Sequence, residues 1–133
     1  GAVGARDVVK KLSDKEFDRI VKRALRRIPE EIRERLENVL VTVQKRPSKE
    51  MLADMDLPED EELLGLFTGD STLERSVTDP PLYPATIYLF QEPLEEMCET
   101  PEELEREIEL TLVHEIAHAI GMSEERLAEL GYE

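Results

Sequence analysis

Residues 114–118 read His-Glu-Ile-Ala-His. On a helix, positions i and i+4 lie one turn apart on the same face, so His114 and His118 can offer imidazole nitrogens to one metal ion. Glu115 stands beside them, rotated by about 100°. Zinc hydrolysis needs this arrangement. The ion lowers the pKa of its water towards ~7 and polarises the substrate carbonyl. The glutamate takes the water's proton and hands it to the leaving amine. The chain holds only two histidines. Two placed at random fall four apart, with a glutamate second, in about 0.3% of cases. The competing reading is a surface helix on which two unrelated histidines flank a glutamate.

Two histidines leave zinc one protein ligand short of the usual catalytic set. Gly121 lets the chain turn back after the helix, and Glu124 follows ten residues after His114, so the stretch reads H-E-x-x-H-x-x-G-x-x-E. Metzincins carry a histidine at that last position. A carboxylate oxygen is an acceptable substitute, which makes Glu124 the candidate third ligand. Its weaker competing explanation is a first-turn acid following Ser123, favoured by the helix dipole. Glu125 is its nearest rival and Glu129 a more distant one.

The helix that carries the motif is the best-marked element in the sequence. Thr100 is its N-cap, Pro101 its first residue and Glu103 the partner that completes a capping box. Leu104, Ile108, Leu112, Ile116 and Ile120 recur at helical spacing until Gly121. Ser123 caps a short last helix through Leu127 and Leu130. Upstream, Ser13 and Glu16 form a capping box for a helix through Phe17, Ile20, Val21, Ala24, Leu25 and Ile28. Pro29 ends it and opens a second helix through Ile32, Leu36 and Val39. Val39–Val43, Leu63–Thr68 and Ala85–Phe90 read as three strands. Residues 47–61 read as an acidic loop, and residues 70–84, with Pro80, Pro81 and Pro84, as a stiff non-helical connection. Residues 1–12 lack a capping signal and are expected to form a loose N-terminal arm, and 13–133 one domain. About three strands, an N-terminal helix pair, the active helix and a short last helix predict an α+β fold.

The formal net charge is −15 on 133 residues. Such a balance repels a phosphate backbone and argues against nucleic-acid binding. Residues 1–50 carry 14 bases and 9 acids, whereas residues 51–133 carry 3 bases and 23 acids. Solvated helix faces account for this split; a basic N-terminal helix docked on the acidic remainder, or on an acidic partner, is the sharper alternative. Few amides among many charges hint at a thermophilic composition. No apolar run approaches about 18 residues, so no membrane span is expected. No secretory leader is visible, and the single cysteine, Cys98, excludes an internal disulfide, so the cytoplasm is the expected compartment.

Other candidates for chemistry are weaker. Tyr83, Tyr88 and Tyr132 could each hydrogen-bond an oxyanion, but packing is the plainer role for all three. Cys98 lacks a histidine to activate it. Met122 follows His118 too closely for a Met-turn and reads as packing. The 63–68 segment is too short and glycine-poor for a phosphate loop.

Leu63-Leu64-Gly65-Leu66-Phe67-Thr68-Gly69, Ala85-Thr86-Ile87-Tyr88-Leu89-Phe90, the extended His-Glu-Ile-Ala-His motif and Leu130-Gly131-Tyr132 together resemble the small bacterial zincin-like metallopeptidases over roughly residues 14–132. Phe67 and Ile120 stand where Tyr and Phe are expected in relatives, an apolar swap that bears on packing. The resemblance implies a compact α+β zincin core, one zinc per chain, His114 and His118 as ligands, Glu124 as third ligand and Glu115 as catalytic base. It also assigns Ala85–Phe90 as the edge strand along the cleft. The expected function is zinc-dependent hydrolysis of a peptide or protein substrate, with neutral or basic peptides favoured by the acidic surroundings. The alternatives are a metal-dependent peptide-binding module with little or no turnover and a 2-His-1-carboxylate iron oxygenase. A glutamate placed as base argues against the oxygenase.

Overall fold

The computed structural model describes residues 12–69 and 85–132. In chain order these form α1 (Asp14–Arg27), α2 (Glu30–Leu36), β1 (Leu40–Gln44), α3 (Lys49–Asp54), β2 (Gly65–Thr68), β3 (Thr86–Phe90), α4 (Gln91–Glu96), α5 (Pro101–Ile120) and α6 (Glu124–Glu129). The expected connection over 70–84, with Tyr83, lies outside the described residues, as do residues 1–11 of the expected arm. Leu12, its last residue, is buried in the core.

Helix α5 lies at the centre. It packs against α1 and α2 and also against β2, β3 and α4. A helix contacted on several sides must be apolar around most of its girth. Accordingly Leu104, Ile108, Thr111, Leu112, Val113, Ile116 and Ala117 are all buried. Its N-terminus is set by Thr100, whose hydroxyl accepts the Glu103 N–H at 3.1 Å. Only this half of the expected capping box forms, since the Glu103 carboxylate lies 3.5 Å from the Thr100 hydroxyl instead. Gly121 ends the helix with φ 73°, a left-handed conformation that costs glycine little.

Helix α1 presents Phe17, Ile20, Val21 and Ala24 to that core. Here the full capping box is present: Ser13 Oγ accepts the Glu16 N–H, and Glu16 Oε1 accepts the Ser13 N–H, each at 3.2 Å. Ile28 precedes a proline and takes extended geometry, which breaks the helix and lets Pro29 cap α2.

The sheet has the order β1-β3-β2, with β1 parallel and β2 antiparallel to β3. This corrects the expected placement of the third strand. Thr86–Phe90 is paired on both sides and is the central strand, not the edge. The physical reason is burial: Ile87, Leu89 and Phe90 are fully buried, and a strand covered on both faces is a near-continuous apolar run. Adjacency to α5 in sequence does not fix a strand's place in the sheet. Among the described residues the edges are β1 and β2. Two short helices stand beyond the expected elements, the first in place of expected loop. Ser48 Oγ accepts the Met51 N–H at 3.1 Å and starts α3 inside the 47–61 segment. Pro93 sits in the first turn of α4, where its missing N–H had no intrahelical partner to lose.

A buried polar cluster ties the chain's far end to α5. Glu109 is 3% exposed. It accepts the Tyr132 hydroxyl at 2.5 Å and Arg27 Nε at 3.0 Å. Burial and the facing Glu109 carboxylate push the Tyr132 hydroxyl pKa up, so it stays a donor. Tyr132→Phe should therefore lower stability by about 1–2 kcal/mol, read as a lower urea midpoint at unchanged slope, because the carboxylate loses one of its partners while staying buried. No helix among the described residues is long and apolar enough to cross a membrane.

Candidate active site

The motif occupies the last two turns of α5 before the Gly121 cap. His114 is half-buried and His118 exposed. The unbroken helix places the two imidazoles one turn apart on one face, as the spacing requires. The half-buried Glu115 points to the sheet. Its Oε1 accepts the Phe67 backbone N–H at 2.9 Å.

That hydrogen bond follows from the register of β2. Phe90 N donates to Leu64 O at 3.0 Å, and Leu66 pairs with Tyr88 and Thr68 with Thr86. In an antiparallel ladder bonded pairs alternate, so Leu64, Leu66 and Thr68 turn their backbone groups towards β3. Gly65 and Phe67 turn theirs to the outer edge. Glu115 meets the Phe67 N–H there.

Gly65 makes the close approach possible. A Cβ at that position would stand 2.5 Å from Thr111 Cγ2 and 3.1 Å from Tyr88 O. Thr111 and Glu115 are four apart on α5, so the missing side chain lets the helix face that carries Glu115 lie directly on β2. A glycine inside a strand is a sign of such contact. In the sequence Gly65 and Phe67 stand out only as marks of the resemblance; a glycine within a strand is the one signal for the close approach of α5, and nothing signals the Phe67 N–H.

Glu124 is exposed in the first turn of α6, whose N-cap is Ser123. Glu125 is exposed beside it, and Glu129 pairs with Arg126 at 3.1 Å. Among the described residues no three His, Cys, Asp or Glu side chains gather as a metal-binding group. The helix thus brings together His114, His118 and Glu115, and does not bring Glu124 to them. Two imidazoles one turn apart are donors that suit zinc, and they fit it as two ligands of a set.

The remaining candidates fall to packing. Met122 packs against the core. Tyr132 is buried on Glu109. The Tyr88 ring stacks with Phe90 at 6.5 Å between centroids. Cys98 is buried, and burial together with Glu107 and Glu103 pushes its thiol up to about 11, far from a reactive thiolate.

No curated protein matches the chain. A family model described as zincin-like metallopeptidase matches residues 36–132. The matched range takes in the whole sheet, α5 with its motif, and α6, while α1 and nearly all of α2 fall outside it, short of the wider 14–132 resemblance. The match spans well over half of the sequence, and the chain belongs to the zincin-like metallopeptidase family.

Proposed function

We propose that the chain is a zinc-dependent peptide hydrolase, with one zinc held through His114 and His118, Glu115 as general base and Glu124, on the strength of the motif spacing, drawn in from α6 as third ligand. The observation that carries this reading is the placement of Glu115: one helical step from the histidine pair and hydrogen-bonded to an edge strand. Bound zinc supplies Lewis acidity, acidifying a water and polarising a carbonyl. The protein's own groups do the rest. The Glu115 carboxylate takes a proton from the water and returns it to the leaving amine. The outer edge of β2 offers backbone groups to an extended peptide, the role expected of Ala85–Phe90 and now moved to the strand that lies on α5. Backbone pairing selects weakly among side chains, so specificity is broad. The excess of acids after residue 50 favours neutral or basic peptides.

The test is a mixed peptide library with zinc-loaded protein. Cleavage should require zinc, stop with a chelator, and prefer basic over acidic peptides at low salt, a preference that fades at high salt. A preference for acidic peptides at low salt overturns the charge argument. His118→Ala should weaken zinc binding at least about tenfold, and Glu124→Ala should weaken it less; the measurement is zinc affinity by competition with a chromogenic chelator. Unchanged affinity in Glu124→Ala hands the third-ligand role to Glu125 or another group.

A second reading, a metal-dependent peptide binder with little turnover, is favoured by one observation. The helix end around His118 is open, with His118 exposed and Ile120 37% exposed, so among the described residues little excludes water from it. Peptide binding without cleavage in the same library selects it.

A further inference from the structure

The Phe67 N–H faces the outer edge of β2, where the next strand of a sheet would place a carbonyl oxygen. A carboxylate oxygen of Glu115 sits there instead, at 2.9 Å. Glu115 therefore fills one position of the ladder that an added strand would use. We propose that the Phe67 N–H is a shared donor: Glu115 holds it in the free protein, and the backbone carbonyl of an extended peptide pairing on β2 takes it over, releasing the Glu115 carboxylate. This rests on the proposed function for its consequence, since the released group is the base of that reaction, but the exchange itself needs neither metal nor turnover.

Three observations support it. First, the alternation of the β2–β3 ladder leaves Gly65 and Phe67 as the residues whose backbone groups face outward, so an added strand has to use Phe67. Second, β2 is four residues long, so each hydrogen bond is a large part of what the edge can offer a ligand. Third, Glu115 is only half-buried and reaches the N–H from α5 rather than from the sheet, so its carboxylate can leave without disturbing strand pairing. The exchange links occupation of the edge to freedom of the base. A small substrate that cannot pair as a strand would leave Glu115 held.

The test is a thermodynamic cycle on metal-free protein, with a capped, uncharged hexapeptide, acetyl-Val-Thr-Ala-Val-Thr-Val-amide, as probe. Glu115→Ala removes the competing acceptor and should tighten binding about three- to tenfold, the worth of one hydrogen bond. Glu115→Gln keeps an oxygen acceptor and should tighten it less. Phe67→Pro removes the N–H without touching the ladder, because that N–H faces away from β3 and proline is tolerated at such edge positions. It should weaken binding, and Glu115→Ala should then gain less than twofold in its background. Should Phe67→Pro fail to fold, the Phe67 amide resonance decides. It should move in Glu115→Ala and return towards its original position on adding peptide. An affinity in Glu115→Ala within twofold of the original protein, or an amide signal indifferent to both changes, overturns the exchange. Failure to hydrolyse any peptide with zinc overturns the proposed function and leaves this cycle standing.

Discussion

Glu115→Gln is expected to lower peptide hydrolysis by about 10²–10⁴-fold while the fold and zinc binding persist. The substitution changes no volume. The amide oxygen can still accept the Phe67 N–H, so β2 and α5 keep their contact. What is lost is the capacity to take a proton from water. His114 and His118 are untouched, so zinc affinity should stay within about twofold. The measurement is kcat/KM of the zinc-loaded protein on its best library peptide, beside a zinc titration and a thermal melt. Activity within tenfold of the original removes Glu115 from the role of base. Lost zinc or a collapsed melt makes it a structural residue instead.

Gly65→Ala is expected to cost about 1–3 kcal/mol and to disable the site as well. The new methyl would stand 2.5 Å from Thr111 Cγ2, closer than any relaxed contact, so one element has to move. Thr111 has little room to yield. It is β-branched, it is buried, and its hydroxyl donates to Glu107 O at 2.7 Å. Moving β2 is the remaining relief, which draws the Phe67 N–H away from Glu115. The check is a double-mutant cycle in urea. Thr111→Ser removes Cγ2, keeps the hydroxyl and should recover most of the loss. If Gly65→Ala costs as much with Thr111→Ser as without it, the contact is not what selects glycine.

The two capped helices show how much could be read directly. Ser13 with Glu16, and Thr100 with Pro101 and Gly121, are local signals, because a cap is satisfied within one turn. The helix so defined then puts His114, Glu115 and His118 together by geometry alone. The expected zincin-like family and α+β class stand on the same features. What went unread is non-local. The central place of Thr86–Phe90 depends on partners more than 40 residues upstream of it for β1, Leu40–Gln44, and nearer for β2, Gly65–Thr68. Its unbroken apolar run was the available sign, since an edge strand would alternate. Gly65 likewise announces a close approach without naming Thr111. The Phe67 N–H leaves no trace in side-chain identity, because a backbone donor is the same in every non-proline residue. Helix α3 is short enough for composition to read as loop, with the surrounding acids and prolines outweighing the Ser48 cap, and α4 has no side-chain cap to announce it.

Binding of one metal ion by His114 and His118 can be tested cleanly, because the chain has only two histidines. Zinc titration of the metal-free protein, followed through the imidazole resonances, reads both without ambiguity. Both should shift together and stop changing at one equivalent of zinc per chain. Resonances that stay in place, or of which only one responds, contradict the account.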